Sequence, residues 1–324
     1  MRTPSFWERP SFCSSALVPI SWAFTAAARA RWAMAKPMRA VVPVVCVGNL
    51  VVGGAGKTPT ALAVANRLSN LGHTPHFLTR GYYGHLKGLV RVDSLQHTAS
   101  EVGDEPLLLA KAAPTWVSKN RQISAQAAIK DGATVLVMDD GFQNPGLKKD
   151  VSIIVIDAGF GHGNGRLLPA GPLRESPVIG LARAHAVVMV DNQMVTSVAA
   201  ETGGLPILTA HLAPQQESAS RLGGARVIGF CGIGRPEKFF HTLSELGCTV
   251  VRTYGFPDHH PYTDGELETL RADALATGSR LVTTTKDLAR IPSRIAEGLE
   301  VLEVDMKFSN LNALDAVLAP VLKL

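Results

Sequence analysis

Residues 48–59 read GNLVVGGAGKTP, and the assignment of the fold turns on this stretch. It follows an apolar, β-branched run, VVPVVCVGN, and precedes a helical pattern, TALAVANRLSNLG. That is the strand, glycine loop, helix order that a phosphate-cradling loop requires. The usual spelling of such a loop has a glycine where Val51 stands, but the context supplies what the spelling lacks. Gly53, Gly54 and Gly56 can take backbone conformations closed to other residues and bring N–H groups onto phosphate oxygens at a helix start. Val51, Val52, Gly53, Gly54, Ala55, Gly56, Lys57 and Thr58 are therefore the expected nucleotide contacts, with Lys57 on the β- and γ-phosphates and Thr58 on magnesium. Pro59 fits the first helical turn, whose N–H groups have no intrahelical partner. The bland alternative is a glycine-rich turn that happens to contain Gly-Lys-Thr.

Such a loop also needs an acid for the metal. TVLVMDDG supplies Asp139 and Asp140 at the end of an apolar strand, where that carboxylate belongs. Adjacent carboxylates alone are a weak signal, and the upstream loop gives them their meaning. A guanine-specific site would carry an Asn/Thr-Lys-x-Asp element, whereas TTTKD places Asp287 directly after Lys286, so ATP is the expected nucleotide. The loop by itself is also compatible with a soluble ATPase switch or metallochaperone that has a protein partner.

On either side of the loop, β-branched runs alternate with helical patterns: HTPHFLTR, TWVSK, TVLVMDD, SIIVIDA and AHAVVMVD. Apolar strands separated by amphipathic helices imply a mostly parallel sheet with helices on both faces, an α/β P-loop NTPase layout. A glycine-rich stretch at 222–225 precedes a second round: RVIGFCGIG, TVVRTYGF, RLVTTTKD, VLEVDM and a last helix near 311–322. The expected division is an N-terminal arm, 1–40, a P-loop core, 41–222, and a smaller C-terminal α/β domain, 223–324. GFGHGNG, 159–165, lacks dinucleotide spacing and reads as a flexible loop; GIG, 232–234, reads as a tight strand-to-helix turn.

The chain has 324 residues and a net charge of +5. The first 40 residues carry Arg2, Arg9, Arg29, Arg31, Lys36 and Arg39 against Glu8 alone, so the arm holds the whole excess and the remainder is balanced. That excludes a uniformly basic nucleic-acid binder. The apolar run from Ala16 to Ala28 is shorter than the ~20 residues a spanning helix needs. A helix over 19–34, with Trp22, Phe24 and Trp32 followed by cations, suits an interfacial helix on an anionic membrane face. The alternative is a helix packed on its own domain. Cys13, Cys46, Cys231 and Cys248 show no ligand spacing, which points to reduced thiols rather than a zinc site or disulfide framework.

GNLVVGGAGKTP, LTRGYYG, VGDEPLLLA, VMDDGFQN, GNGRLLPAGPLRE, FCGIGRPEKFF and FPDHHPYT occur together and in this order. The set resembles the tetraacyldisaccharide 4'-kinase family from about Pro19 onward, and GNGRLLPAGPLRE is its most specific element. The resemblance implies a membrane-associated, magnesium-dependent ATP kinase at the cytoplasmic face of the inner membrane of Gram-negative bacteria. Its substrate would be a tetraacylated disaccharide 1-phosphate, phosphorylated on the 4'-hydroxyl to lipid IVA in lipid A biosynthesis. Two positions depart from the family's pattern: Asn144 stands in the histidine place of DDGxQH, and Thr285 in the glutamate place of TTEKD.

By the same resemblance, Asp104 is the catalytic base, oriented by His259, with Glu105 and Asp140 in the surrounding metal or hydrogen-bond network. An ordinary Asp is a weak base near neutral pH, so it acts mainly by orienting the hydroxyl and accepting its proton late. Arg174 can stabilise the charge of the transferring phosphoryl group, and Glu175 can approach the metal. Arg80 and Arg121 are candidate contacts for the substrate's 1-phosphate or for ATP, or else helix caps.

Overall fold

The computed structural model describes residues 4–191 and 202–322. Arg2, counted above with the basic arm, and residues 323–324 of the C-terminal division lie outside them. The strands, in chain order, are β1 (Val44–Gly48), β2 (Pro75–Thr79), β3 (Val90–Arg91), β4 (Thr115–Val117), β5 (Val135–Asp139), β6 (Val151–Asp157), β7 (Ala186–Val190), β8 (Ile207–Pro214), β9 (Arg226–Cys231), β10 (Thr249–Gly255), β11 (Arg280–Thr284), β12 (Glu300–Leu302) and β13 (Val304–Phe308).

β1 is buried throughout because its alternating side chains enter two different cores. Val45 and Val47 face the core built with the helix Lys57–Asn70, which presents Ala61, Val64, Ala65 and Leu68 at helical spacing. Val44 and Cys46 face the opposite core, with Phe142, Leu147 and the helix Arg121–Lys130. The sheet has nine strands in the order β13-β8-β7-β6-β1-β5-β2-β4-β3. All its neighbours pair in parallel except the two edges, β13 with β8 and β3 with β4. The loops at the carboxyl ends of parallel strands gather ligands, and β1, β5 and β2 are adjacent there. A second, wholly parallel sheet has the order β10-β9-β11-β12.

The expected division at 222/223 assigned everything after it to the smaller domain. The chain instead returns to the first sheet. The run VLEVDM, expected as one strand, is divided at Glu303: β12 ends in the second sheet and β13 begins in the first. The helix Leu311–Leu322 then packs Leu314, Val317, Leu318 and Val321 onto the same core as the helix Lys57–Asn70. The second unit thus sits between β8 and β13 in sequence, with its two connections side by side.

The arm forms the helix Val18–Met34. Ser21, Thr25, Ala28 and Trp32 are its more buried positions, and the Ser21 hydroxyl donates to the Leu167 carbonyl at 2.9 Å. Trp22 (69% exposed), Phe24 (44%), Ile20 and Met34 face outward. Trp32, expected beside Trp22 and Phe24, turns inward instead: Arg183 lies 4.4 Å and Lys149 5.4 Å from its ring centroid. Among the described residues, no helix is long and apolar enough to cross a membrane. Residues 159–165, expected to be flexible, are turns tied to the arm, with the Asn164 N–H donating to the Trp7 carbonyl at 2.7 Å.

Candidate active site

The loop after β1 is held open by backbone geometry and by a neighbouring strand-like segment. Gly53 (φ +115°) and Gly56 (φ +85°) carry the left-handed conformations that β-carbons disfavour. Val51 bridges antiparallel to Leu173, Val52 N–H donates to the Pro172 carbonyl at 2.9 Å, and Arg174 N–H donates to the Leu50 carbonyl at 2.7 Å. Position 51 therefore sits in paired, extended chain, where a buried valine is favourable and a glycine is not needed. The block PAGPLRE is the wall of the phosphate loop. Lys57 Nζ donates to the Gly53 carbonyl at 3.1 Å.

The register Val47↔Asp139 sets the acid beside the strand that feeds the loop. Asp139 is fully buried; its Oδ2 accepts from the Thr58 hydroxyl at 2.9 Å, and its Oδ1 has no protein partner. Burial, reinforced by Glu105 and Asp140, pushes this carboxyl up to about 7 against Lys57 and Thr58. Asp140, at φ +50°, is gripped in fork geometry by Arg174 at 2.7 and 3.1 Å. Burial would raise the Asp140 carboxyl as well, but Lys57 and Arg174 hold it at about 2. Neighbouring carboxylates are thus driven to opposite ends of their range.

Asp139, with one unpartnered oxygen beside the Thr58 hydroxyl, fits a hard divalent cation such as magnesium. No group of three or more His, Cys, Asp or Glu side chains among the described residues forms a cation cage. That suits magnesium, which usually takes few protein ligands and completes its shell with phosphate oxygens and water. Glu175 is committed elsewhere: Arg183 takes one oxygen and Gln143 the other, at 3.1 Å. Gln143 also accepts from Arg174 at 3.2 Å, so Glu175 joins the network behind the site instead of facing the metal position.

Asp104 opens the helix Asp104–Ala110, preceded by Gly103 at φ +95°. A β-carbon on Gly103 would lie 2.5 Å from the Tyr82 carbonyl oxygen, so this glycine lets the loop of LTRGYYG press against the helix start. Asp104 is buried, and His259 Nδ1 lies 2.9 Å from its Oδ2, across the gap between the two units. Tyr83 packs on the imidazole with ring centroids 4.5 Å apart. Burial tends to raise the Asp104 carboxyl, but the His259 hydrogen bond and the charges of Lys286 and Arg290 hold it below the usual carboxylate range. Tyr83 and His259, like Asp140, carry positive φ, so the non-glycine backbone strain among the described residues concentrates at this site. His260 points elsewhere, to Glu266 at 3.0 Å.

Of the two outlying arginines, Arg80 is exposed beside the Tyr82 ring. Arg121 is only 3% exposed and donates to the Ser118 carbonyl at the start of its own helix. Burial pushes its guanidinium down to about 10. It is withdrawn from solvent, with its Nε unpartnered by protein.

Several members of the site were not singled out from the sequence. Lys286 lies 3.3 Å from His259 Nε2, 3.9 Å from Glu105 and 3.6 Å from Asp258. Arg290 approaches Asp104 at 3.6 Å. Asn49 is buried with both amide atoms unpartnered by protein. On the other flank, Asp157 binds Arg235 at 2.7 Å and Lys238 at 2.6 Å, and Lys238 also reaches Asp191. Between the flanks the turn GIG lies on the phosphate loop, and a β-carbon on Gly234 would sit 3.6 Å from the Gly54 nitrogen. The two positions that depart from the family pattern are locally satisfied. Asn144 Oδ1 accepts from Gly146 N–H at 2.9 Å, and Thr285 begins the short helix that carries Lys286.

A family model described as tetraacyldisaccharide-1-P 4'-kinase matches residues 13–323. The tetraacyldisaccharide 4'-kinase of Rhodospirillum centenum is 48% identical over 327 residues, covering 99% of this chain and 97% of the relative. That of Parvibaculum lavamentivorans is 49% identical over 299 residues, covering 90% and 87%. Among solved structures, the "apo" form of LpxK from Aquifex aeolicus in complex with ATP superimposes with a TM-score of 0.75 at 27% identity, covering 95% of this chain and 99% of that one.

Proposed function

The chain belongs to the tetraacyldisaccharide-1-P 4'-kinase family and transfers the γ-phosphate of ATP to the 4'-hydroxyl of a tetraacyldisaccharide 1-phosphate, and from that premise we propose how its residues divide the work. Backbone amides of 51–56 and the Lys57 ammonium hold the triphosphate. Thr58 and Asp139 hold magnesium, which neutralises charge on the β- and γ-phosphates when bound. Arg174, forked on Asp140, brings a guanidinium to the same carboxylate pair and stabilises charge spreading over the phosphoryl group. Asp104 orients the sugar hydroxyl and accepts its proton as the oxygen–phosphorus bond forms and ADP leaves with the electrons of the broken bond. The observation that carries this reading is the meeting of the Asp104 helix with His259 of the second unit, on the side where Glu105 acts on Asp139, the β5 acid bonded to Thr58 after the phosphate loop.

Incubation with γ-labelled ATP, magnesium and a tetraacyl disaccharide 1-phosphate is the direct assay. The expected result is label in a bisphosphorylated lipid; label released only as inorganic phosphate would overturn the assignment of the acceptor.

The proposal extends to place. A substrate with four acyl chains stays in a bilayer, and ATP meets it at the cytoplasmic face of the inner membrane, where the arm helix lies in the interface. Supporting this are the outward Ile20, Trp22, Phe24 and Met34, followed by the exposed Arg29, Arg31, Lys36 and Arg39. Co-sedimentation with anionic vesicles is expected to be salt-sensitive, and to weaken by about tenfold or more in the Trp22→Ala/Phe24→Ala double variant. Equal binding by the double variant would remove the helix from the interface.

A further inference from the structure

We propose that Lys286 is a positioning residue that fixes the tautomer of His259, so that the ring donates to Asp104 and takes no proton of its own. The proposal rests on the reading of Asp104 as acceptor of the hydroxyl proton and specifies what stands behind it.

An ammonium has three hydrogens to donate and no lone pair to accept with. Lys286 Nζ lies 3.3 Å from His259 Nε2. Nε2 must therefore present its lone pair, which leaves the ring hydrogen on Nδ1, facing Asp104 Oδ2 at 2.9 Å. A second proton on Nε2 would set imidazolium against ammonium at that distance.

The groups facing the ring are few. Asp104 is on the Nδ1 side, Lys286 and Asp258 (3.8 Å) are on the Nε2 side, and Tyr83 is over the face. Lys286 is itself held in place by Glu105 at 3.9 Å and Asp258 at 3.6 Å. Burial alone would weaken its hold on its proton, but Glu105, Asp104 and Asp258 outweigh burial and keep it an ammonium. Arg290, the other cation close to Asp104, is committed to Asp287.

The consequence concerns where the proton goes. The substrate O–H breaks, its oxygen bonds to the γ-phosphorus, the bridging P–O bond breaks with its electrons on ADP, and the proton rests on the Asp104 carboxyl. It has no onward path into His259, whose far nitrogen is occupied by a cation's hydrogen. His259 then works as a fixed donor that aims the carboxylate, and the pair does not act as a relay.

Two measurements test this. In the ¹⁵N-labelled full-length protein, two-bond ring correlations, assigned to His259 by subtraction of the His259→Gln spectrum, are expected to show the ring hydrogen on Nδ1 and a lone pair on Nε2. The Nε2–H form, or a doubly protonated ring at pH 7, would overturn the proposal.

In kinetics, Lys286→Met is expected to lower kcat about 30-fold at neutral pH with KM for ATP within about twofold. Without the opposing cation, the ring sits between Asp104 and Asp258 and takes a second proton, which weakens Asp104 as an acceptor. The lost rate should therefore return as pH rises and the ring sheds that proton. Lys286→Arg, which keeps a cationic donor, is expected to retain the parent pH profile. A loss that is uniform across pH would mean that Lys286 only supports the fold. The unmutated protein's spectrum is read independently of turnover, so failure of the tautomer assignment is distinguishable from failure of Asp104 as the base.

Discussion

Asp104→Ala is expected to lower turnover by about 10³-fold while leaving the affinity for ATP within about twofold. The asymmetry follows from where the residue stands. Asp104 opens a helix on the acceptor side, and its carboxylate is taken up by His259 of the second unit, the Glu105 N–H and, at 3.6 Å, Arg290. Removing its carboxylate leaves Lys57, Thr58 and Asp139 intact, so ATP binds, but the hydroxyl loses its orienting acceptor. Lys57→Ala, by contrast, removes charge from the triphosphate in both ground and transition states and should impair binding and turnover together. Single-turnover kinetics with a fluorescent ATP analogue separates the two. An Asp104→Ala enzyme with near-parental turnover would end its assignment as the base.

Asp139→Asn is expected to abolish turnover, by about 10³-fold or more, and at the same time to raise thermal stability in the presence of a chelator. Asp139 is fully buried with one oxygen unpartnered, and its carboxyl is pushed up to about 7. The unfolded chain ionises near ~3.9. Between those values the folded state holds a proton that the unfolded state has released. Stability from this site therefore increases as pH falls from above 7 toward 4, and the ionised form is a burden at higher pH. Asparagine carries no charge at any pH and removes the burden. The melting temperature of the variant should exceed the parent's at pH 8 by about 2–5 °C, the shift expected from about 1–2 kcal/mol at this chain length. The gap should shrink as pH falls through about 7 and close only near about pH 4 and below, where the parent carboxyl is protonated in the unfolded chain as well as in the folded one. A variant no more stable than the parent at pH 8 would mean that the buried charge is already compensated.

The strand, loop and helix around GGAGKT were legible because three local signals agree there: an apolar run, glycines and a helical period. The return of residues 304–322 to the first sheet was not. Alternating residues show that a strand has a buried face but not which sheet it joins, and at Glu303 the chain changes sheets within one such run. The pairing of Asp104 with His259, 155 positions apart, came from family resemblance and not from any spacing. Lys286 stood out only for its spacing to Asp287, which argues against a guanine site and says nothing of a contact with His259. Trp32 was ambiguous for a chemical reason: an indole among alanines serves equally at a lipid surface or between two cations.

The turn that carries Gly234 lies against the Gly54 amide, where the nucleotide's phosphates would come. If a triphosphate seats only when that turn lifts, the ties of Arg235 and Lys238 to Asp157 and Asp191 oppose the opening. The measured dissociation constant for ATP is then the intrinsic one divided by the fraction of molecules standing ajar. Weak apparent binding in this enzyme would report reluctant opening, not a poor grip.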